Sequence, residues 1–268
     1  MQLLITRPEP DAHRLATTLA ALGHTPLVLP LLDIVFDKTA SIPKNYAALA
    51  FTSANGVRAL SALLPPDDSL LSALVFAIGA QTAQAAQEAG WENIITCSPD
   101  NSANSNSVAE MAEMIIAHKH IITGMIAHIV GRHQAGDLVA HLLQVGLTAE
   151  KFVLYEARRR RPATFDPAIA EAILASPEDK PEARGVLLYS RRSAALFLEY
   201  WQTIIVSPLS TALPTSYAPD LQQTYRAFCL SPAIADDMQA HGFMAQAAAQ
   251  TTQTAMLALL AKATQTRD

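Results

Sequence analysis

Residues 151–162 read KFVLYEARRRRP, and the fold turns on whether this stretch is the edge of one domain or a passage between two. Phe152 and Leu154 alternate with Val153 and Tyr155, and Pro162 ends the run, as in a half-buried strand leading into a linker. As an edge strand it would carry arginines that are simply solvated. As a hinge between two similar lobes it would turn Tyr155 toward the gap. The choice depends on the flanking sequence, which repeats itself in a changed order.

Ahead of this stretch, short apolar runs alternate with helical patterns. Residues 3–5 form a strand ending in Thr6-Arg7-Pro8, and Ala12, Leu15, Leu19 and Leu22 then make one apolar stripe stopped by Gly23. A second strand covers 26–36 and a third 46–51, closed by Thr52-Ser53 as a helix cap. Strand 74–78 runs through Gly79 into a helix ending at Gly90, and a short strand covers 93–96. A polar loop ends at Ser107, which makes a capping box with Glu110. Strand 126–130 ends in Gly131-Arg132, and the next helix stops at Gly146.

Beyond Pro162 the pattern resumes with a helix near 167–175, strand 185–189, Ser190 and a helix through Trp201. Strand 226–230 runs into Ser231-Pro232, which suits the cap and first position of a helix, and Thr251 or Thr252 caps the last one. Strands alternating with helices of this length predict parallel, doubly wound sheets.

Self-similarity sharpens this. LAFTSANGV (49–57) resembles VLLYSRRSA (186–194), placing Ser53 over Ser190, and AIGAQTA (77–83) resembles CLSPAIA (229–235). LLITR (3–7) resembles HIVGR (128–132), placing Arg7 over Arg132. The opening unit therefore matches one in the middle of the chain, which a simple tandem duplication would not produce. If it belongs with the C-terminal half, the chain crosses between lobes twice, near 33–38 and near 153–161. The expected fold is α/β, with two doubly wound parallel-sheet lobes joined by a two-stranded β-ladder hinge. Its first lobe is discontinuous, 1–34 and 163–268; the second is 41–150; 35–40 and 151–162 are the hinge strands.

Composition narrows the function. Half of the 268 residues are hydrophobic and 16% are charged, against roughly 25% charged in an average soluble domain, so the sequence is that of a globular protein. A net charge of −5, with Arg158 to Arg161 as its one basic run, argues against nucleic acid, which needs a concentrated basic face. Cys97 and Cys229 form no CxxC, so neither a disulfide framework nor a thiolate metal site is expected. Without a leader-like start or an apolar run of roughly 18 residues, the expected compartment is the cytoplasm and no membrane contact is expected.

Motif searches mostly fail. GxGxxG and GxSxG do not occur. Residues 131–138, GRHQAGDL, have P-loop spacing but place Asp137 and Leu138 where Lys and Ser/Thr would touch phosphate and magnesium. His118, His120, His128, His133 and His141 lack paired ligand spacing beside a carboxylate, so no metal is expected. Small polar residues at strand carboxyl ends remain: Thr6, Ser53, Gly79, Gly131, Ser190 and Ser231. Helix N-termini present free N–H groups there, so the set reads either as ordinary capping or as an anion-binding cleft.

LLITRP, FTSANGV, AIGAQTA, HIVGR, VLYEARR, LLYS and CLSP, in this order and spacing, resemble the uroporphyrinogen-III synthase family over essentially the whole chain. The resemblance implies two α/β lobes joined by a ladder and a lyase that cyclises hydroxymethylbilane with loss of water and inversion of its last pyrrole ring. It implies no metal or organic cofactor, a small-molecule substrate and a monomer. Tyr155 matches the family tyrosine proposed to assist loss of the hydroxyl, and Thr82 a substrate-site threonine. Ala233-Ile234 stand where some relatives carry threonines. The candidate substrate-binding set is Thr6, Arg7, Thr52, Ser53, Gly79, Thr82, Ser107, Gly131, Arg132, Ser190 and Ser231. The alternative is a non-enzymatic two-lobed binding protein or sensor for a small anion, and the arginines after Tyr155 read as a solvated hinge edge.

Overall fold

The computed structural model describes residues 1–40, 46–96, 108–133, 136–161, 166–174, 183–206 and 222–265. The chain divides into two compact units, residues 1–33 with 158–268, and residues 34–157.

The first unit carries strands β1 (Gln2–Ile5), β2 (Thr25–Val28), β9 (Arg184–Leu188), β10 (Tyr225–Cys229) and β11 (Met244–Ala247). They form one parallel sheet in the order β11-β10-β9-β1-β2. Helices α7 (Arg191–Tyr200) and α8 (Pro232–Ala240) bury Phe197, Ile234 and Met238 in one cluster. Helices α1 (Asp11–Ala21) and α9 (Gln253–Gln265) bury Leu15, Leu19, Met256 and Leu260 in another. Helix α6 (Pro167–Leu174) adds Ile173 to the first cluster. Every residue of β1 and β9 is buried, as parallel strands covered on both faces require.

The second unit carries β3 (Leu32–Phe36), β4 (Ala48–Phe51), β5 (Leu74–Ala77), β6 (Ile94–Thr96), β7 (Ile126–Gly131) and β8 (Ala149–Arg159), in the order β3-β8-β7-β4-β5-β6. From β4 to β8 the pairings are parallel. Helices α2 (Ala54–Ser61) and α3 (Ala80–Glu88) bury Val57, Leu60, Ala85 and Ala86 with Phe51 and Trp91. Helices α4 (Val108–Ala117) and α5 (Leu138–Gln144) bury Met111, Ile115, Leu138 and Leu142 with Phe76.

The two sheets therefore share one order. Strands β11, β10, β9, β1 and β2 of the first take the places of β6, β5, β4, β7 and β8 of the second, so the opening strand answers one from mid-chain, as the sequence echoes indicate. Residue by residue the echo slips. Ile5 lies opposite Leu187 and His128 opposite Ala50. With Ser190 over Ser53, Arg7 falls two residues short of Arg132.

The apolar run 26–36, read above as one strand, is two. Leu29 and Leu31 still donate to Ile5 and Thr6 of the first unit, but Pro30 between them has no N–H to give. Past Leu31 the bonds to β1 end, and β3, from Leu32, runs beside β8 in the other sheet. The Asp37 N–H bonds the Leu154 carbonyl at 2.8 Å and the Arg160 N–H the Leu31 carbonyl at 3.0 Å. As one partner's number rises the other's falls, so the pair is antiparallel. These two strands hold the points, after residues 33 and 157, where the chain passes from one unit to the other.

His128 on β7 is 1% exposed, and neither ring nitrogen finds a partner among the described residues. Burial first, and Lys151 second, push its imidazole down to about 4. The unfolded chain takes up this proton near pH 6.5 and the folded chain only near 4, so stability falls as pH drops through that window, by about 3 kcal/mol in total. In urea titrations, His128→Leu is expected to lose most of the stability slope between pH 6.5 and 5; an unchanged slope assigns the acid sensitivity elsewhere.

Candidate active site

At the carboxyl edge of the second sheet, β4 and β5 hand over to helices through a small or polar residue. Ser53 caps α2, accepting from the Asn55 N–H at 3.1 Å, and Asn55 in turn accepts from Arg58 at 2.8 Å. Gly79, at φ +74°, precedes α3 in a conformation that L side chains rarely adopt, and its carbonyl accepts from the Thr82 N–H at 3.1 Å. Thr82 is itself buried and Thr52 half-buried.

Tyr155 reaches this edge by a bulge. The β7–β8 register runs regularly to Val130 opposite Val153, then skips to Gly131 opposite Tyr155. Leu154 is the extra residue, and it turns into the core at 1% exposure. The Arg132 N–H bonds the Tyr155 carbonyl at 2.8 Å. Burial pushes the Tyr155 phenol above the usual tyrosine value, while the Ser53 side chain and the Gly131 backbone, donating toward the oxygen, draw it partly back. Tyr155 on β8, Gly131 at the end of β7 and Ser53 in the turn after β4 are thus brought close together. The Arg132 side chain is two-thirds exposed, 3.7 Å from Glu156, which also lies 4.0 Å from His133.

The first unit's edge is differently used. The Thr6 hydroxyl donates to the Leu187 carbonyl at 2.8 Å in a fully buried bond, so it serves the sheet. Arg7 donates to Gln253 and Asp11 and lies 4.6 Å above the Tyr189 ring. Ser190 caps α7 by accepting from the Ser193 N–H at 3.0 Å. Ser231 stands at the cap of α8 with Pro232 behind it, and its side chain makes no cap bond. Ser107 lies outside the described residues.

Sequence reading did not single out Tyr189, Glu156 or Gln253. Asp11, the first residue of α1, pairs at 3.3 Å with Arg7 in the turn before the helix. Among the described residues no group of His, Cys, Asp or Glu could hold a metal ion, and no helix is long and apolar enough to cross a membrane. The histidines are dispersed: His118 sits edge-on to Phe76, His128 is in the core and His133 beside Glu156.

Arg159 pairs with Glu199 and Arg160 with Asp33, and Arg158 and Arg161 also have partners. Exposed pairs of this kind contribute roughly 0 to 1 kcal/mol.

Two mostly parallel sheets that share a five-strand order, with two chain crossings on paired strands and capped strand-to-helix turns, define a two-unit α/β protein of the doubly wound class. Residues 13–258 match the family described as Uroporphyrinogen-III synthase HemD, and the chain belongs to that family. The matched span includes Tyr155, Ser53 and Gly131 and begins after Thr6 and Arg7.

Among solved structures, the chain is similar to uroporphyrinogen-III synthetase from Helicobacter pylori, with a TM-score of 0.58 at 15% identity over 98% of this chain and 99% of that one. A mutant uroporphyrinogen III synthase from the extremely thermophilic bacterium Thermus thermophilus gives 0.49 at 15% identity over the whole of both chains. No curated protein matches the chain in sequence.

Proposed function

We propose that this chain is a uroporphyrinogen-III synthase, a cyclising lyase that converts hydroxymethylbilane to uroporphyrinogen III with loss of water. The observation that carries the reading is Tyr155 held at a strand-end edge beside Ser53 and Gly131 in a chain of this family. A tyrosine of ordinary pKa about 10 is protonated at neutral pH, and burial raises this one further. Its phenol therefore has a proton to give to the departing hydroxyl. As the C–O bond breaks, water leaves and the phenol oxygen carries the charge, toward which Ser53 and Gly131 donate. Ring closure displaces a C–H proton, which restores the phenol.

The substrate carries about eight carboxylates on this reading, and the protein is itself acidic at −5. Beyond a Debye length of about 8 Å that repulsion is largely screened. A hydrogen bond to a charged group is worth roughly 1.5 to 3 kcal/mol, against roughly 0 to 1 for an exposed ion pair. Helix-end N–H groups near Ser53, Gly79, Ser190 and Ser231 therefore outweigh Arg132 in the reading, and Arg7, Thr52 and Thr82 fill lesser places. Thr6 contributes through the sheet. The inversion is assigned to folding of the linear substrate so that direct closure is geometrically excluded.

The same reading carries a cofactor-free, monomeric, cytoplasmic enzyme. Exhaustive EDTA dialysis is expected to leave turnover of hydroxymethylbilane unchanged, and a loss restored by added divalent metal would contradict it.

A further inference from the structure

We infer that Gly131 is a positioning residue for the Tyr155 phenol, acting together with Ser53, and that its lack of a side chain is what lets the ring reach the edge. The inference rests on the synthase reading above. A Cβ at Gly131 would lie 2.6 Å from Cε2, 2.8 Å from Cζ and 3.2 Å from Cδ2 of Tyr155, and these ring atoms are its three nearest neighbours. Real Cβ atoms essentially never approach so closely. The Cδ2–Cε2–Cζ side of the ring therefore occupies the space a side chain at Gly131 would need, and Cζ, which bears the hydroxyl, is among the atoms that any side chain would displace.

The bulge makes this seat. Without Leu154 as the extra residue, Gly131 would face Leu154, and Tyr155 would come one residue later in the pairing, on the other face of the sheet. With it, an apolar side chain fills the core while the Tyr155 ring is brought against Gly131 of β7, where the Ser53 side chain and the Gly131 backbone favour the ionised phenol. The Arg132 N–H to Tyr155 carbonyl bond fixes the backbone behind it.

Packing alone is the competing explanation. Gly185 of the first unit also lies under an aromatic ring, with a built Cβ 2.6 Å from Cε2 of Phe228. Phe228, however, is fully buried and carries no hydroxyl, whereas the Tyr155 ring ends in a reactive group at the edge of its sheet. The two explanations differ in what happens when that group is removed.

The test is a double-mutant cycle on the full chain with hydroxymethylbilane as substrate. Gly131→Ala is expected to lower kcat about 10²-fold with KM little changed, as a misplacement of about 1 Å would. In a Tyr155→Phe background the same substitution is expected to change kcat by less than about twofold, because the hydroxyl it misplaces is gone. An equal loss in both backgrounds, or full kcat in Gly131→Ala alone, overturns the inference while leaving the synthase reading intact. If Gly131→Ala does not fold, Ser53→Ala carries the same cycle from the hydroxyl end: its kcat loss should vanish in the Tyr155→Phe background, and persistence of that loss overturns the inference. Full activity of Tyr155→Phe alone contradicts the role of Tyr155 itself, and is seen before Gly131 or Ser53 is touched.

Discussion

Tyr155→Phe is expected to lower turnover of hydroxymethylbilane about 10²- to 10⁴-fold, the usual range for a positioned general acid, with the ratio of product isomers unchanged. The ring is kept by this substitution, so its seat on Gly131 and the fit of Leu154 in the core survive. Only the hydroxyl beside Ser53 is lost. The rate should fall because no proton is delivered to the leaving hydroxyl. The isomer should not change, because the ring inverted is set by how the substrate is folded and not by what protonates it. Steady-state rates with isomer separation check both halves. Full activity would remove Tyr155 from the chemistry, and a shift toward the type I isomer would give it a part in folding the substrate.

Phe228→Ala is expected to be the most damaging of these changes to stability, at about 3 to 5 kcal/mol. The side chain is fully buried on β10, packed with Leu3, Ile5, Leu15, Leu187 and Met256 and resting on Gly185. Gly185 has no side chain with which to refill the space, so the cavity would persist. Against a typical folding stability of about 5 to 15 kcal/mol, this loss would unfold a marginal protein. Urea denaturation should show a strongly lowered midpoint. A shift worth less than about 1 kcal/mol would mean that the surroundings collapse into the hole.

Much of this architecture was legible because burial writes itself into the sequence. Fully apolar runs such as ALAF and VLL, closed by Ser53 and Ser190, marked parallel strands and the helices that follow. The match between LLITR and its mid-chain counterpart, out of tandem order, pointed to the shared sheet order. The split of 26–36 was less legible, because a run of apolar residues looks alike whether it serves one sheet or two. The switch shows only in the partners, Leu31 bonding Thr6 in one sheet and Asp37 bonding Leu154 in the other.

The candidate site was legible as positions and not as contacts. Ser53, Gly131 and Tyr155 could each be placed at a strand end. That they meet depends on Leu154 bulging out of register, a cross-strand property that no local pattern encodes. Thr6 shows the reverse case. A threonine after a strand reads as a ligand group or a cap, and only the Leu187 carbonyl within 2.8 Å shows where its hydroxyl goes.

The most direct measurement is to incubate the purified full chain with hydroxymethylbilane, oxidise the products and separate the porphyrin isomers. The type III isomer, formed faster than spontaneous closure, is the expected result. Type I alone, as arises without a catalyst, would contradict the assignment of this chain as a uroporphyrinogen-III synthase.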